Sequence, residues 1–88
     1  MSLTEDMDRG QKAARLLADP MLIEARANVA KAIHDAWERA PIRDRDGAHE
    51  LRLMLKALSD VWALLETTVA DGKMAAIEFN QLNHRAEK

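Results

Sequence analysis

The stretch Gly47–Ala70, GAHELRLMLKALSDVWALLETTVA, is the most strongly patterned part of the chain. Its apolar residues recur every three or four positions, so they fall on one face of a helix. This main row is Leu51, Met54, Leu55, Leu58, Val61, Trp62, Leu65 and Val69. Because Leu, Met, Ala, Lys, Glu and Arg all favour helix, the pattern predicts a long helix over 47–70. Asp46 is expected to cap its start and Gly72 its end.

A second set of apolar residues widens this face. Leu53, Ala57 and Leu64 lie beside the main row rather than on it. A helix that packs against one neighbour needs only a narrower stripe. We therefore expect this helix to be covered on two sides, by a third helix or by a second copy of the chain. The hypothetical interface consists of Leu53, Ala57 and Leu64 together with Trp62.

Length and composition also favour self-association. The chain has 88 residues and no cysteine, which predicts one domain over 1–88 without disulfides or thiol chemistry. So short a chain buries a modest core and is marginally stable alone. Association with another copy or with a protein partner is the usual compensation.

Charge and hydropathy exclude several classes of function. The formal net charge is −2, from 13 basic and 15 acidic residues, which argues against a dedicated electrostatic grip on nucleic acid or anionic lipid. No apolar run approaches the ~20 residues that span a membrane. The acidic N-terminus, MSLTEDMDRG, does not resemble a secretory signal. We expect a cytoplasmic protein that does not enter a membrane.

Two further helices precede the long one. Ser2 and Glu5 form a capping-box pattern that predicts a helix over 4–18, weakened in its first turns by Gly10, which costs roughly 1 kcal/mol relative to Ala. Asp19-Pro20 predicts the start of a helix over 20–39, which Ala40-Pro41 ends. The inner face of this second helix is expected to be Leu22, Val29, Ile33, Ala36 and Trp37.

The short loop over 41–46 predicts that the two long helices lie antiparallel as a hairpin. Such a hairpin puts Ile33 opposite Leu55 and brings Trp62 near Arg26. Trp62 is expected to pack under the first helix, with a cation–π pair to Arg26 as the alternative.

After Gly72 the pattern favours a separate helix over 73–84, although the long helix could also continue past a kink at that glycine. The fold class that follows is all-α, a long antiparallel helical hairpin with a short N-terminal helix and a helical C-terminal tail.

No motif for metal or cofactor binding emerges. The loop around Gly47 faintly resembles a calcium loop, but that alignment would place Ile42 and Leu53 at ligand positions, where neither can bind a cation. His34 and Glu38 lie four residues apart on a helix, yet two ligands do not make a metal site. We assign His49 and His84 no role.

Catalytic motifs are lacking as well. Ser59 lies within a helix and has no exposed elbow or glycine-rich turn beside it. The three glycines are isolated, so none belongs to a phosphate-binding loop. The sequence therefore predicts a protein that is not an enzyme and needs no cofactor.

Arg9, Lys12 and Arg15 form a basic strip on the first helix. It is the best candidate for a nucleic-acid contact and supports an alternative function as a DNA-binding accessory protein in packaging or transcriptional control. Acidic residues precede the strip and no aromatic residue interleaves it. A solvated helix face is the favoured interpretation.

Six short segments form a packing pattern along the chain: Arg9-Gly10, Lys12-Ala13, Leu16-Leu17, Asp19-Pro20, Leu51-Arg52-Leu53-Met54-Leu55-Lys56 and Gly72-Lys73-Met74. Together these segments resemble small α-helical proteins of tailed phages and prophages. The resemblance implies a phage-encoded protein with a helical hairpin, located in the host cytoplasm or in the virion. It transfers no functional residue. The function expected is a non-enzymatic assembly or interaction protein, with the DNA-binding accessory as the alternative.

Overall fold

The structure, a computed structural model, describes residues 2–86 and contains only α-helices in that range. Helix α1 spans Leu3–Ala18, α2 spans Pro20–Arg39 and α3 spans Arg45–Ala86. The all-α fold class is thus confirmed. The molecule is elongated, with principal dimensions of 69 × 24 × 14 Å, because α3 alone has 42 residues and each adds about 1.5 Å.

The first two helices begin and end close to where the sequence predicts. The Ser2 hydroxyl accepts a hydrogen bond from the Glu5 amide at 3.2 Å, and the Asp19 carboxylate accepts one from the Met21 amide at 2.8 Å. Each acceptor satisfies an amide of the first turn that has no partner within its helix. Helix α2 stops at Arg39, just before Ala40-Pro41.

Helix α3 differs from its prediction at both ends. It begins at Arg45, where the Asp44 carboxylate accepts a hydrogen bond from the Gly47 amide at 2.9 Å, so Asp44 and not Asp46 is the capping residue. It then continues through Gly72 to Ala86. The predicted C-cap at Gly72 and the separate helix over 73–84 are wrong, because no described glycine has the positive φ of a helix-ending turn.

Gly72 instead lies at the closest approach between two helices. A Cβ atom added to Gly10 of α1 would lie 2.8 Å from the Gly72 Cα atom and 3.2 Å from the Thr68 carbonyl oxygen. A Cβ added to Gly72 would in turn lie 2.8 Å from the Gly10 Cα atom and 3.1 Å from the Asp6 carbonyl oxygen. Both glycines are buried. The backbones of α1 and α3 therefore touch, which explains why α1 is intact around Gly10.

The contacts also give the direction of each helix along α3. Asp6 meets α3 at Gly72, whereas Gly10 also meets it one turn earlier, at Thr68, so α1 runs opposite to α3. In α2, Arg26 lies over Trp62, and Trp37 lines a groove with residues 48–55. Helix α2 therefore also runs opposite to α3. Helices α1 and α2 cover successive parts of α3, and α1 makes the more extensive contact.

The core of a single chain is small. The buried apolar side chains among the described residues are Ala13, Ile33, Trp62 and Ala75. Several positions expected on inner faces are instead about half exposed, namely Val29, Trp37, Met54 and Val61. Two helices laid one after the other along a third cannot enclose a core, because every helix keeps at least one side open.

Replacing Gly10 with alanine tests the contact between α1 and α3. In an open helix, Gly→Ala stabilises by about 1 kcal/mol. Here the added methyl group meets the backbone of Gly72, so the α1–α3 contact must widen. We expect Gly10→Ala to lower the free energy of unfolding by about 1–3 kcal/mol, as overpacking does. Urea unfolding followed by circular dichroism at a fixed protein concentration measures it, and a stabilised variant would contradict the described contact.

Two isoleucines of α2 provide a matched test of the core. Ile33 is 5% exposed and Ile23 is 52% exposed. We expect Ile33→Ala to cost about 2–4 kcal/mol through lost burial and the cavity left behind. Ile23→Ala should cost no more than about 0.5–1 kcal/mol, as for a surface site. Equal losses in a urea titration would show that α2 presents a different face to α3.

Candidate interaction surface

The isolated chain exposes far more surface than a compact protein of its mass. Its accessible surface is 7206 Å², whereas a compact monomer of 9.9 kDa exposes about 5,200 Å². The Cα radius of gyration is 19.3 Å, against about 12 Å for a globular domain of this length. About 2,000 Å² of the surface is thus in excess.

Exposed apolar side chains lie on the part of α3 whose apolar face the sequence predicts to be too wide for one neighbour. Leu53 is 51% and Leu64 is 67% exposed, and Ala57 between them is also exposed. Met54 and Val61, from the main row, are exposed to a similar degree. The structure therefore brings the second row and part of the main row together on one uncovered side of α3.

Trp62 does not belong to this surface. Its side chain is 9% exposed, and the guanidinium carbon of Arg26 lies 4.8 Å from the centre of its ring. Contact at this distance is a cation–π interaction, which was the alternative expectation for Trp62. Because α2 covers the ring, we remove Trp62 from the interface that the sequence suggested.

Helix α2 contributes exposed residues that sequence reasoning assigned to the interior. Val29 was expected on the inner face and is 47% exposed. Its neighbours on the helix surface, Ala25 and Ala32, are exposed as well. The signal was available, because these residues recur at spacings of four and three. What the pattern could not tell is which apolar positions face α3 and which face away from it.

The basic strip of α1 has acidic neighbours. The Lys12 ammonium group forms an exposed ion pair with Asp8 at 3.0 Å, which is the common i, i+4 pairing of helix surfaces. Arg9 lines a shallow groove together with Asp6 and Asp71. Residues spaced by three also drift around the helix axis, because each residue adds about 100°. Arg15 therefore lies about 120° around the helix from Arg9. The three residues do not form one uninterrupted basic surface.

The histidines lie away from the exposed apolar row. His34 and His49 line a groove of about 410 Å³ between α2 and α3, together with Trp37, Arg52 and Leu55. The described residues contain no group of three or more His, Cys, Asp or Glu side chains that could hold a metal ion. Nor do they include a helix with the length and hydropathy needed to cross a membrane.

Helices α2 and α3 each carry one exposed ion pair between residues four positions apart. Lys31 donates a hydrogen bond to the Asp35 carboxylate at 2.9 Å, and this bond raises the pKa of Lys31 and lowers the pKa of Asp35. Lys56 and Asp60 form a longer pair at 3.5 Å. Both pairs are exposed and add little stability. They matter here because of where they lie on the helix surface. They form polar borders beside the apolar rows.

Comparisons with known proteins add no functional information, so the proposed function rests on the geometry described above. No protein-family model, curated protein or solved structure matches the chain. The resemblance to phage-encoded helical proteins stays a prediction that rests on the sequence segments given above.

The Arg26–Trp62 contact can be tested by fluorescence in a Trp37→Phe chain, where Trp62 is the only indole. We expect Arg26→Ala to uncover the ring, shift its emission to longer wavelength and lower the free energy of unfolding by about 1 kcal/mol. Arg39→Ala, which removes a charge near the other end of α2, is the control. Indistinguishable spectra for the two variants would contradict the assigned contact.

Proposed function

We propose that this chain is a non-enzymatic helical assembly or interaction protein that self-associates through the apolar side of α3. The surface is centred on Leu53, Ala57 and Leu64, with Trp62 excluded because it is buried. The observation that supports the proposal is the excess of about 2,000 Å² of accessible surface over that of a compact monomer. Contiguous exposed apolar side chains, such as Leu53, Ala57 and Leu64, are typical of sites that another molecule covers.

One chain has only a small apolar core. Burial of apolar surface is the dominant favourable term in folding. Two of the four buried apolar side chains in the described part of the chain are alanines. The entropy lost on ordering the backbone is about 1–2 kcal/mol per residue. A core of this size offsets little of that cost, so a second buried surface is needed for a stable native state.

The proposal also covers the arrangement of the helices in the associating unit and the origin of the protein. The antiparallel course of α2 along α3 supports a helical hairpin as the associating unit. We propose a phage-encoded origin, with the protein in the host cytoplasm or in the virion, on the resemblance alone. The DNA-binding alternative has weaker support, because Lys12 is paired with Asp8 and Arg9 lies beside acidic residues.

Two exposed alanines of α3 provide a matched test of the proposal. Ala57 lies on the apolar side, and Ala63 is exposed elsewhere on the same helix. Sedimentation equilibrium should give a wild-type mass of at least twice 9.9 kDa. We expect Ala57→Glu to shift the mass toward that of a single chain, because it places a charge in an apolar interface, and Ala63→Glu to leave it unchanged.

A wild-type protein that stays at the mass of one chain at tens of micromolar would overturn self-association. If both variants lowered the mass equally, association would not depend on the apolar side of α3. Circular dichroism of Ala63→Glu should show the helical content of the wild type, since glutamate is a good helix former at an exposed position. Ala57→Glu should lose helical content as it dissociates, because a single chain lacks a sufficient core.

A further inference from the structure

The pair formed by α2 and α3 has two different sides. His34 of α2 and Arg52 of α3 line the same groove, which defines the groove side of both helices. Successive residues of a helix are about 100° apart around its axis. Residues about half a turn from His34 or from Arg52 therefore lie on the opposite side, which we call the open side.

On α2 the open side carries a row of small residues. Ala25, Ala32 and Ala36 lie about 160–180° from His34, and Val29 about 140° from it. Ala25, Val29 and Ala32 are exposed, and Ala36 is half-buried. The spacing of four, three and four residues is that of a seam between packed helices.

On α3 the open side carries a row of larger residues. Met54 and Val61 lie about 160° and 180° from Arg52, and Ala57 and Leu64 about 140° and 120° from it. Met54, Val61 and Leu64 are more than half exposed. The spacing of three, four and three residues matches a packing seam as well.

The two rows lie next to each other because α2 and α3 are neighbours, and together they form one apolar face along the first half of α3. The second half of the same side is occupied by α1, since Gly72 lies about 160° from Arg52 and contacts Gly10. Its borders are charged. The Lys31–Asp35 pair lies beyond the outer edge of the α2 row, and the Lys56–Asp60 pair lies beyond the outer edge of the α3 row. An apolar centre with a polar rim is the usual composition of a protein interface.

We infer that the same face of a second copy covers this one, so that two α2–α3 pairs form a four-helix bundle. The inference rests on the proposed self-association and adds that α2 shares the interface. Homodimers are built by pairing one patch with itself, and bundles of this kind pack rows spaced by three and four residues. Stable homodimers bury about 2,000–5,000 Å² in total. An excess of about 2,000 Å² per chain gives about 4,000 Å² for two chains, which falls within that range.

Four alanine-to-glutamate variants test which helices form the interface. Ala32→Glu and Ala57→Glu place a charge on the open side of α2 and α3. Ala27→Glu and Ala63→Glu place the same charge toward the groove side of the same helices, and all four alanines are exposed in the single chain. The bundle predicts that the first two variants halve the mass found by sedimentation equilibrium and that the other two do not change it.

The outcomes separate this inference from the proposal beneath it. A monomeric wild type overturns both. A wild-type dimer that Ala57→Glu dissociates and Ala32→Glu leaves intact overturns only the bundle, because α3 would then associate without α2. Dissociation by Ala27→Glu as well would also overturn it, since the groove side would then share the interface.

A second measurement does not depend on disrupting the protein. The chain has no cysteine, so a single introduced thiol reports its own surroundings. We expect the thiol of Ala32→Cys to react with a maleimide at least tenfold more slowly in the assembled protein than at dilutions where it dissociates. The thiol of Ala27→Cys should react at the same rate in both. Equal rates for Ala32→Cys at the two concentrations would overturn the bundle.

Discussion

The direct backbone contact at Gly10 and Gly72 is the constraint on which the arrangement of the chain depends. Helices usually pack with their axes 8–10 Å apart because side chains separate them. Two facing glycines remove those side chains and let the Cα atoms themselves meet. Helix α1 is thereby held against the second half of α3, which leaves the first half to α2. Each of the two shorter helices covers a different part of α3, and α1 meets α3 on the same side as the exposed apolar row but further along the helix, at Thr68 and Gly72.

An elongated molecule follows from this arrangement, and an exposed apolar side follows from the elongation. A compact three-helix bundle would place α1 over the seam between α2 and α3 and bury the apolar residues of all three. Here α2 and the first half of α3 form a layer with two free sides, one with a groove and charged residues and the other with apolar rows, and α1 packs only on the second half of α3. The excess accessible surface and the large radius of gyration both reflect this elongated shape. Association with another copy would supply the missing half of the core.

Local sequence signals predicted the elements well where the chemistry is local. Ser2, Asp19 and Pro41 mark helix boundaries through hydrogen bonds or backbone limits that involve only neighbouring residues. Gly72 was misinterpreted because a glycine can serve either a left-handed turn or a close approach, and only the partner, Gly10, decides between them. That partner is 62 positions away in the chain, so no local pattern contains it.

For the candidate interaction surface too, the features that depend on local sequence were predicted and those that depend on distant residues were not. The excess width of the apolar face on α3 was readable from Leu53 and Leu64, and both are exposed. The assignment of Trp62 to that surface failed, because burial under Arg26 depends on where α2 lies. The open side of α2 was missed because Val29 and its alanine neighbours fit an inner face equally well by spacing alone.

The central claim is that one chain lacks a sufficient core and becomes stable by associating. The most direct test is the midpoint of thermal unfolding, measured by circular dichroism over a hundredfold range of protein concentration. When folding is coupled to association, the midpoint rises with concentration because mass action favours the assembled state. A midpoint that rises steadily across the range is the predicted result. A midpoint independent of concentration, with a fully helical baseline at the lowest concentration, would contradict the claim.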